Sequence, residues 1–485
     1  MSTATSTESA HSQSDKKVSV GTLTAMVVGS IVGSGVFVLP RRFGSETGAL
    51  GALIAWTIAG AGMFTLALVF KSLAVRKPDL NAGIFAYAKA GFGDYVGFNA
   101  AFGYWASAVA GTVSYWVLTM STLGALLPAL GQGETVLAIA LSSVGVWIFH
   151  FLVLRGVHSA AAINKIVTIA KMVPIAVFIV VGIVMFKAGV FADNIWGGSD
   201  HSVSAIFEQA KGTMLITVFV FLGIEGASVY SRYARKREDI GKATVLGFLS
   251  VLSVFMLVTV VSYGAMPQAD LAAASPPSMA AVFESMVGNW GEIFIKIGVV
   301  ISVLGAYLAW TLMSCEVLYV PATTGDMPEF LRRINAKGTP SAALTMVSLY
   351  VQALLILLLF VANALDFVLD LTAALAVIPY LLAASYALKL TLRRETYDGD
   401  DRALRSDKIV AILAILYTAF LVYAAGPKHL LLSCLLYAPA TLLYARARRE
   451  RGLRIFTPPE LALFGIIVAG AVVAIELLAT GTIRL

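Results

Sequence analysis

The sequence predicts an all-α, polytopic membrane protein whose first and sixth helices are broken at mid-membrane, and three observations carry that prediction. Of its 485 residues, 59% are hydrophobic and 13% charged, and the mean hydropathy is +0.85; soluble globular chains do not reach this balance. The apolar residues gather into thirteen stretches, most of them close to the ~20 residues that a bilayer-crossing helix needs. Basic residues concentrate in every second connection between those stretches, the asymmetry that orients a membrane protein.

Residues 1–17 are polar, rich in Ser and Thr, and end in Asp15-Lys16-Lys17, which reads as a disordered cytoplasmic tail. No short apolar core with a small-residue cleavage site precedes the first long stretch, so no removable signal peptide is expected. The expected spans are 18–40, 49–72, 95–124, 134–154, 159–186, 204–231, 243–265, 290–321, 341–361, 366–391, 408–425, 429–445 and 460–480. Arg76, Lys77 and Lys89 follow the second span, Arg232, Arg235 and Lys236 the sixth, and Arg332, Arg333 and Lys337 the eighth. The opposite connections are nearly bare apart from Arg41, Arg42, Lys187 and Lys428. This places the N-terminus in the cytoplasm and, with thirteen spans, the C-terminus outside.

The net charge of +7 is therefore topology rather than a nucleic-acid surface. Residues 81–93 read as a short amphipathic helix at the inner membrane surface, and 266–278, with Pro276-Pro277, as an external turn region. Residues 393–407 read as a charged linker that separates a ten-span core, 18–392, from the last helices, 408–485.

The first span holds Gly29-Ser-Ile-Val-Gly-Ser-Gly. Three glycines in seven residues disfavour a continuous helix, at roughly 1 kcal/mol each against Ala. Unwound backbone at membrane depth survives only inside protein or along a wet cavity. The sixth span carries a second interruption, Phe221-Leu-Gly-Ile-Glu-Gly-Ala-Ser. Paired interruptions in matching spans of two five-span halves are the sequence signature of a transporter binding site. A break at Gly33-Ser34-Gly35 exposes N–H groups suited to a carboxylate, and the break near Gly223 exposes carbonyls suited to an ammonium. Together they predict a receptor for an amino-acid headgroup.

Ionisable residues inside the spans are the sharper signal. Glu225 lies seven residues before Arg232, about 10 Å deep on helix geometry; it suits a cationic substrate or a proton, or a structural pair. Lys171 lies thirteen residues beyond His158, about 20 Å deep. Its ammonium either occupies the place of an ion or satisfies carbonyls at a helix break. Trp310 and Phe219 fall mid-span, where they can pack or stack on a substrate. Cys315 and Cys434 sit in separate spans, and the five histidines show no metal-ligand spacing, so neither a metal nor a cofactor is expected. No nucleophile or phosphate loop stands out, so no enzyme activity is expected.

These motifs, with Gly103-Tyr-Trp, Lys77-Pro-Asp-Leu, Phe151-Leu-Val-Leu-Arg-Gly and Ile378-Pro-Tyr, resemble the amino acid–polyamine–organocation superfamily. Within it the chain is similar to the basic amino acid/polyamine antiporters, and most to the bacterial arginine–ornithine group. The resemblance implies a LeuT-like five-plus-five inverted repeat with further C-terminal helices, in a bacterial cytoplasmic (inner) membrane. It implies a substrate carboxylate held around Ile31, Gly33, Ser34 and Gly35, and a pocket formed with Ser107, Thr112, Phe219, Gly223 and Trp310. Tyr104, Glu225 and Tyr380 would form a closing layer beneath the substrate, and Lys171 would stand at the sodium position of coupled relatives. Phe219 and Thr112 replace the Trp and Asn expected in arginine exchangers, and both changes touch the side-chain pocket.

The expected partners are a small cationic amino acid and the lipid bilayer, with no nucleic acid; a homo-oligomer is left open. The expected activity is exchange of arginine for ornithine. Rival readings are a proton-coupled lysine, histidine or neutral amino acid permease, an agmatine- or polyamine-type exchanger, and a non-transporting sensor.

Overall fold

The computed structural model describes residues 19–80, 83–156, 160–198, 201–225 and 237–483. The tail 1–17, residues 226–236 and His158 lie outside them, and with them Arg232 and the last three residues of the span-six motif. The helices, in chain order, are α1 (Val20–Ile31), α2 (Leu39–Glu46), α3 (Ala49–Arg76), α4 (Ile84–Phe92), α5 (Asp94–Gly124) and α6 (Val136–Leu154). Then come α7 (Ala160–Val184), α8 (Ala188–Asp193), α9 (Val203–Gly212), α10 (Met214–Val220), α11 (Arg237–Ala265) and α12 (Gln268–Ala273). The last six are α13 (Ser278–Val287), α14 (Asn289–Thr323), α15 (Ser341–Leu357), α16 (Ala364–Leu392), α17 (Asp401–Glu450) and α18 (Pro458–Ala479). Among the described residues there is no strand.

Nine helical segments among the described residues are long and apolar enough to cross a membrane. One of them, α17, changes direction at Gly426, where φ is 70° and Pro427 follows, so it accounts for both expected spans 408–425 and 429–445. The remaining three expected spans meet α1–α2, α5 and α7. α17 is thus two helices joined at Gly426, whose φ of 70° and ψ of 168° are non-helical, and Pro427 brings no N–H to carry the hydrogen-bond ladder across.

Two local elements take on detail that the sequence did not give. The helix expected within 81–93 is α4, Ile84–Phe92. In α4, Ile84, Phe85, Ala86, Tyr87 and Ala88 are all buried, with Tyr87 stacked on Tyr386 of α16 at 6.2 Å, so the apolar face is spent on protein rather than lipid. The 393–407 linker is half helix. Asp400 caps α17 by accepting from Ala403 N at 3.0 Å, and Asp407 binds Arg76 Nε and Ser72 Oγ of α3 at 2.8 and 2.7 Å. Charge here staples the C-terminal helices to the bundle.

The core centres on α5 and α16, which pack on each other; α5 also packs on α14, and α16 on α17. Twenty-six of the 31 residues of α5 are buried, so it is the axis of the bundle rather than a lipid-facing span. Around it, α1 packs on α11 and α14 on α7. At the far side of the first helix break, Arg41 Nη1 meets Asp366 at 2.9 Å and Arg42 Nη2 meets Asp370 at 2.6 Å, tying α2 to the start of α16. Arg42 and Asp370 are largely buried, which makes the pair costly to break from either side.

Candidate functional site

Helix α1 stops within the glycine run, at Ile31. Val32 leaves helical geometry (ψ 102°) and Gly33 is extended (φ −116°), after which Ser34–Phe37 form a single 3-10 turn leading into α2. In span six, α10 ends at Val220 and residues 221–225 form successive turns, with Gly223 at φ +98°. That φ favours glycine outright.

The two breaks touch. A Cβ on Gly35 would sit 2.5 Å from Val220 Cγ1 and 2.9 Å from Phe219 Cδ1, and one on Gly223 would sit 2.7 Å from Ser30 O. Ser30 Oγ also reaches Gly223 O at 3.4 Å. One glycine from each break therefore lets two backbones approach where any side chain would hold them apart.

The last carbonyls of α1 lose their intrahelical donors at the break. Lys171 of α7 supplies one: its ammonium donates to Val32 O at 2.7 Å and to Gly29 O. It is buried, 4% exposed, and its charge sits at the negative pole of α1. This geometry satisfies the carbonyls of a broken helix end, and it does so with a fixed cation lodged between spans one and five.

At the junction lies a narrow cavity. Of the residues expected in a pocket, Ile31, Gly33, Ser34, Gly35, Ser107, Phe219 and Trp310 line it. Ser107 is also structural, because its Oγ donates to Thr372 O at 2.7 Å and so links α5 to α16. Two expected pocket residues are not in the wall. Thr112 is fully buried and turns its hydroxyl back to Val109 O at 2.7 Å. It lies roughly 90° around α5 from the face formed by 104, 107, 108, 111 and 115, at ~100° per residue. Gly223 stands outside the wall as well, pressed against Ser30.

Sequence reasoning missed Tyr115 and Thr372, both of which line the cavity, along with Gly111 on the same face of α5. The four-residue spacing of Ser107, Gly111 and Tyr115 was a readable signal.

Glu225, Tyr104 and Tyr380 form a separate cluster rather than part of the wall. Tyr380 Oη donates to Glu225 Oε2 at 2.8 Å, Tyr104 Oη donates to Oε1, and Gly223 N donates to Oε1 at 3.2 Å. The carboxylate is 7% exposed. It joins three elements, α5, α16 and the span-six break. Tyr380 lies eight residues from the cavity residue Thr372 along α16, about 12 Å at 1.5 Å per residue. The cluster thus forms a layer at one end of the cavity. Among the described residues no group of His, Cys, Asp and Glu could hold a metal ion.

A helical bundle with this many apolar spans, and a narrow cavity where two broken helices meet, is a multi-pass membrane protein. The chain belongs to the amino acid permease family, whose model matches residues 18–444. It is 46% identical over 468 residues to an arginine/ornithine antiporter of Pseudomonas aeruginosa, covering 95% of this chain and 97% of the relative. It is 38% identical to an arginine/ornithine antiporter of Latilactobacillus sakei, covering 96% and 98%. An arginine/agmatine antiporter of Chlamydia caviae is 35% identical, covering 98% and 99%.

Proposed function

We propose that this protein exchanges cationic amino acids, external arginine for internal ornithine, by alternating access across a cytoplasmic membrane. The observation that carries the reading is the contact between two helix breaks, with exposed backbone at a cavity and a carboxylate layer at its end. The names of the relatives support the substrate pair.

The transport core would be residues 18–392, arranged as a five-plus-five inverted repeat, with the helices of 408–485 appended to it. The N-terminus would be cytoplasmic and the C-terminus external, as the basic connections require. In this arrangement the backbone at Gly33, Ser34 and Gly35 receives the carboxylate. Trp310 and Phe219 flank the side chain, and the Tyr104–Glu225–Tyr380 layer closes the cytoplasmic end.

Arginine and ornithine are both cationic near neutral pH, so one-for-one exchange moves no net charge and needs no ion gradient. The concentration difference maintained by metabolism drives it. Strict exchange requires that the empty carrier reorient slowly. The tyrosine hydrogen bonds on Glu225 bridge elements that must separate when that end opens, and they hold the empty carrier closed until a substrate cation competes for the carboxylate.

Counterflow in proteoliposomes against a panel of unlabelled amino acids and amines tests the proposal. Trans-stimulation of labelled arginine uptake by internal ornithine is the expected result. Uptake that ignores internal substrate and follows an imposed pH gradient refutes it and favours a proton-coupled permease.

A further inference from the structure

Tyr115 has no role in the arrangement above, yet it lies at the end of the cavity where helix one breaks. It is 5% exposed and lines the cavity, on the face of α5 that also presents Ser107 and Gly111. Its hydroxyl stands 3.5 Å from where a Cβ on Gly33 would be. Only its backbone carbonyl is engaged, by Thr119 Oγ1 at 2.7 Å; among the described residues the phenol has no hydrogen-bond partner. The phenol faces the cavity with its O–H uncommitted, so a group that enters beside it can accept from it.

What faces the phenol narrows the ligand. Gly33 is extended and the 3-10 turn starts at Ser34, so the first N–H groups of that turn have no intrahelical acceptor. The wall between them is Ile31, Ser34, Gly35 and Phe219, which brings no competing carboxylate. The phenol and the backbone of this turn border the same cavity, and hydrogen-bond donors beside one cavity suit an anion.

Resting on the exchange reading, we propose that Tyr115 is a substrate-binding residue that donates to the α-carboxylate, and that it makes the site select amino acids over the matching decarboxylated amines. An amine without the carboxylate leaves both the phenol and the N–H groups without that partner in a narrow cavity, which is how a site built to hydrogen-bond rejects an analogue lacking the group. Both exchange partners then must carry a carboxylate, which excludes the amine product of arginine decarboxylation as a counter-substrate.

The test is competition against labelled arginine in proteoliposomes by arginine, arginine methyl ester and agmatine, in wild type and Tyr115→Phe. The wild type should bind the ester and the amine at least about tenfold more weakly than arginine. Tyr115→Phe should weaken arginine roughly 10- to 100-fold while changing the ester and amine by less than threefold, so the ratio collapses. Equal competition by ester and acid in wild type overturns the proposal, as does a variant that keeps the wild-type ratio. The wild-type comparison needs no mutant, so a poorly folding variant leaves the test standing. If the wild type carries no cationic amino acid, the exchange reading fails separately; neutral amino acids and their methyl esters then supply the same carboxylate comparison at Tyr115.

Discussion

Replacing Glu225 by Gln probes the closing layer with minimal change of shape. Glu225 accepts from Tyr104, from Tyr380 at 2.8 Å and from Gly223 N at 3.2 Å. Hydrogen bonds to an ionised group contribute about 1.5–3 kcal/mol each, against about 0.5–1.5 for neutral pairs. Exchanging the carboxylate for an amide therefore removes about 1 kcal/mol from each tyrosine bond, or about 2 kcal/mol from the two. If both bonds must break for the empty carrier to turn, reorientation accelerates roughly 30-fold, since about 1.4 kcal/mol is a factor of ten. The assay is efflux of labelled ornithine from proteoliposomes with and without external arginine. The wild type should release label only with arginine outside; Glu225→Gln should leak without it, and the ratio of the two rates should fall by about that factor. Full-rate exchange with no rise in leak would refute the reasoning, because the layer would then bear neither on substrate nor on the empty carrier.

Other outcomes follow from the same geometry. Gly35→Ala places a methyl group 2.5 Å from Val220 Cγ1; overpacking of this kind costs about 1–3 kcal/mol, and it should abolish counterflow while Tm in detergent falls by only a few degrees. Lys171→Met strips the donor from Val32 O and Gly29 O. Two buried carbonyls left unmatched cost about 1–3 kcal/mol each, so a lowered Tm with lost transport is expected, and an unchanged Tm would remove the structural role. Asp370→Asn leaves the buried Arg42 guanidinium short of its 2.6 Å partner. Losing one side of such a pair costs about 3–5 kcal/mol, reduced here by the second carboxylate, Asp366, at 3.3 Å; thermal unfolding measures it.

Much of the site was legible because it rests on local rules. Glycines at 33, 35 and 223 mark places where helix propensity is weak, and an ionisable residue at 225 or 171 declares itself against an apolar background. The family resemblance then placed Trp310, Phe219, Ser107, Tyr104 and Tyr380, and all but the two tyrosines stand in the cavity wall, as expected for a layer below it. Thr112 and Gly223 stand outside the cavity wall for opposite reasons. Thr112 lies on the right helix but about a quarter turn from the cavity face, and a hydroxyl in a helix interior can bond its own backbone, as it does to Val109 O. Gly223 is at the right break, but its lack of a side chain serves contact with Ser30 rather than the cavity.

The sequence by itself determined which segments are long and apolar enough to span a membrane and where the first and sixth weaken, because apolar length and glycine placement act within one helix. Only the tertiary structure decided which faces meet: that α4 is buried against Tyr386, that residues after Asp400 are helix rather than linker, and that Tyr115 and Thr372 stand at the cavity. In a chain where nearly every span is apolar all round, the hydrophobic pattern does not say which side faces lipid. That choice falls to packing between helices far apart in sequence, through glycine contacts such as Gly35 on Val220 and bridges such as Lys171 to Val32 O.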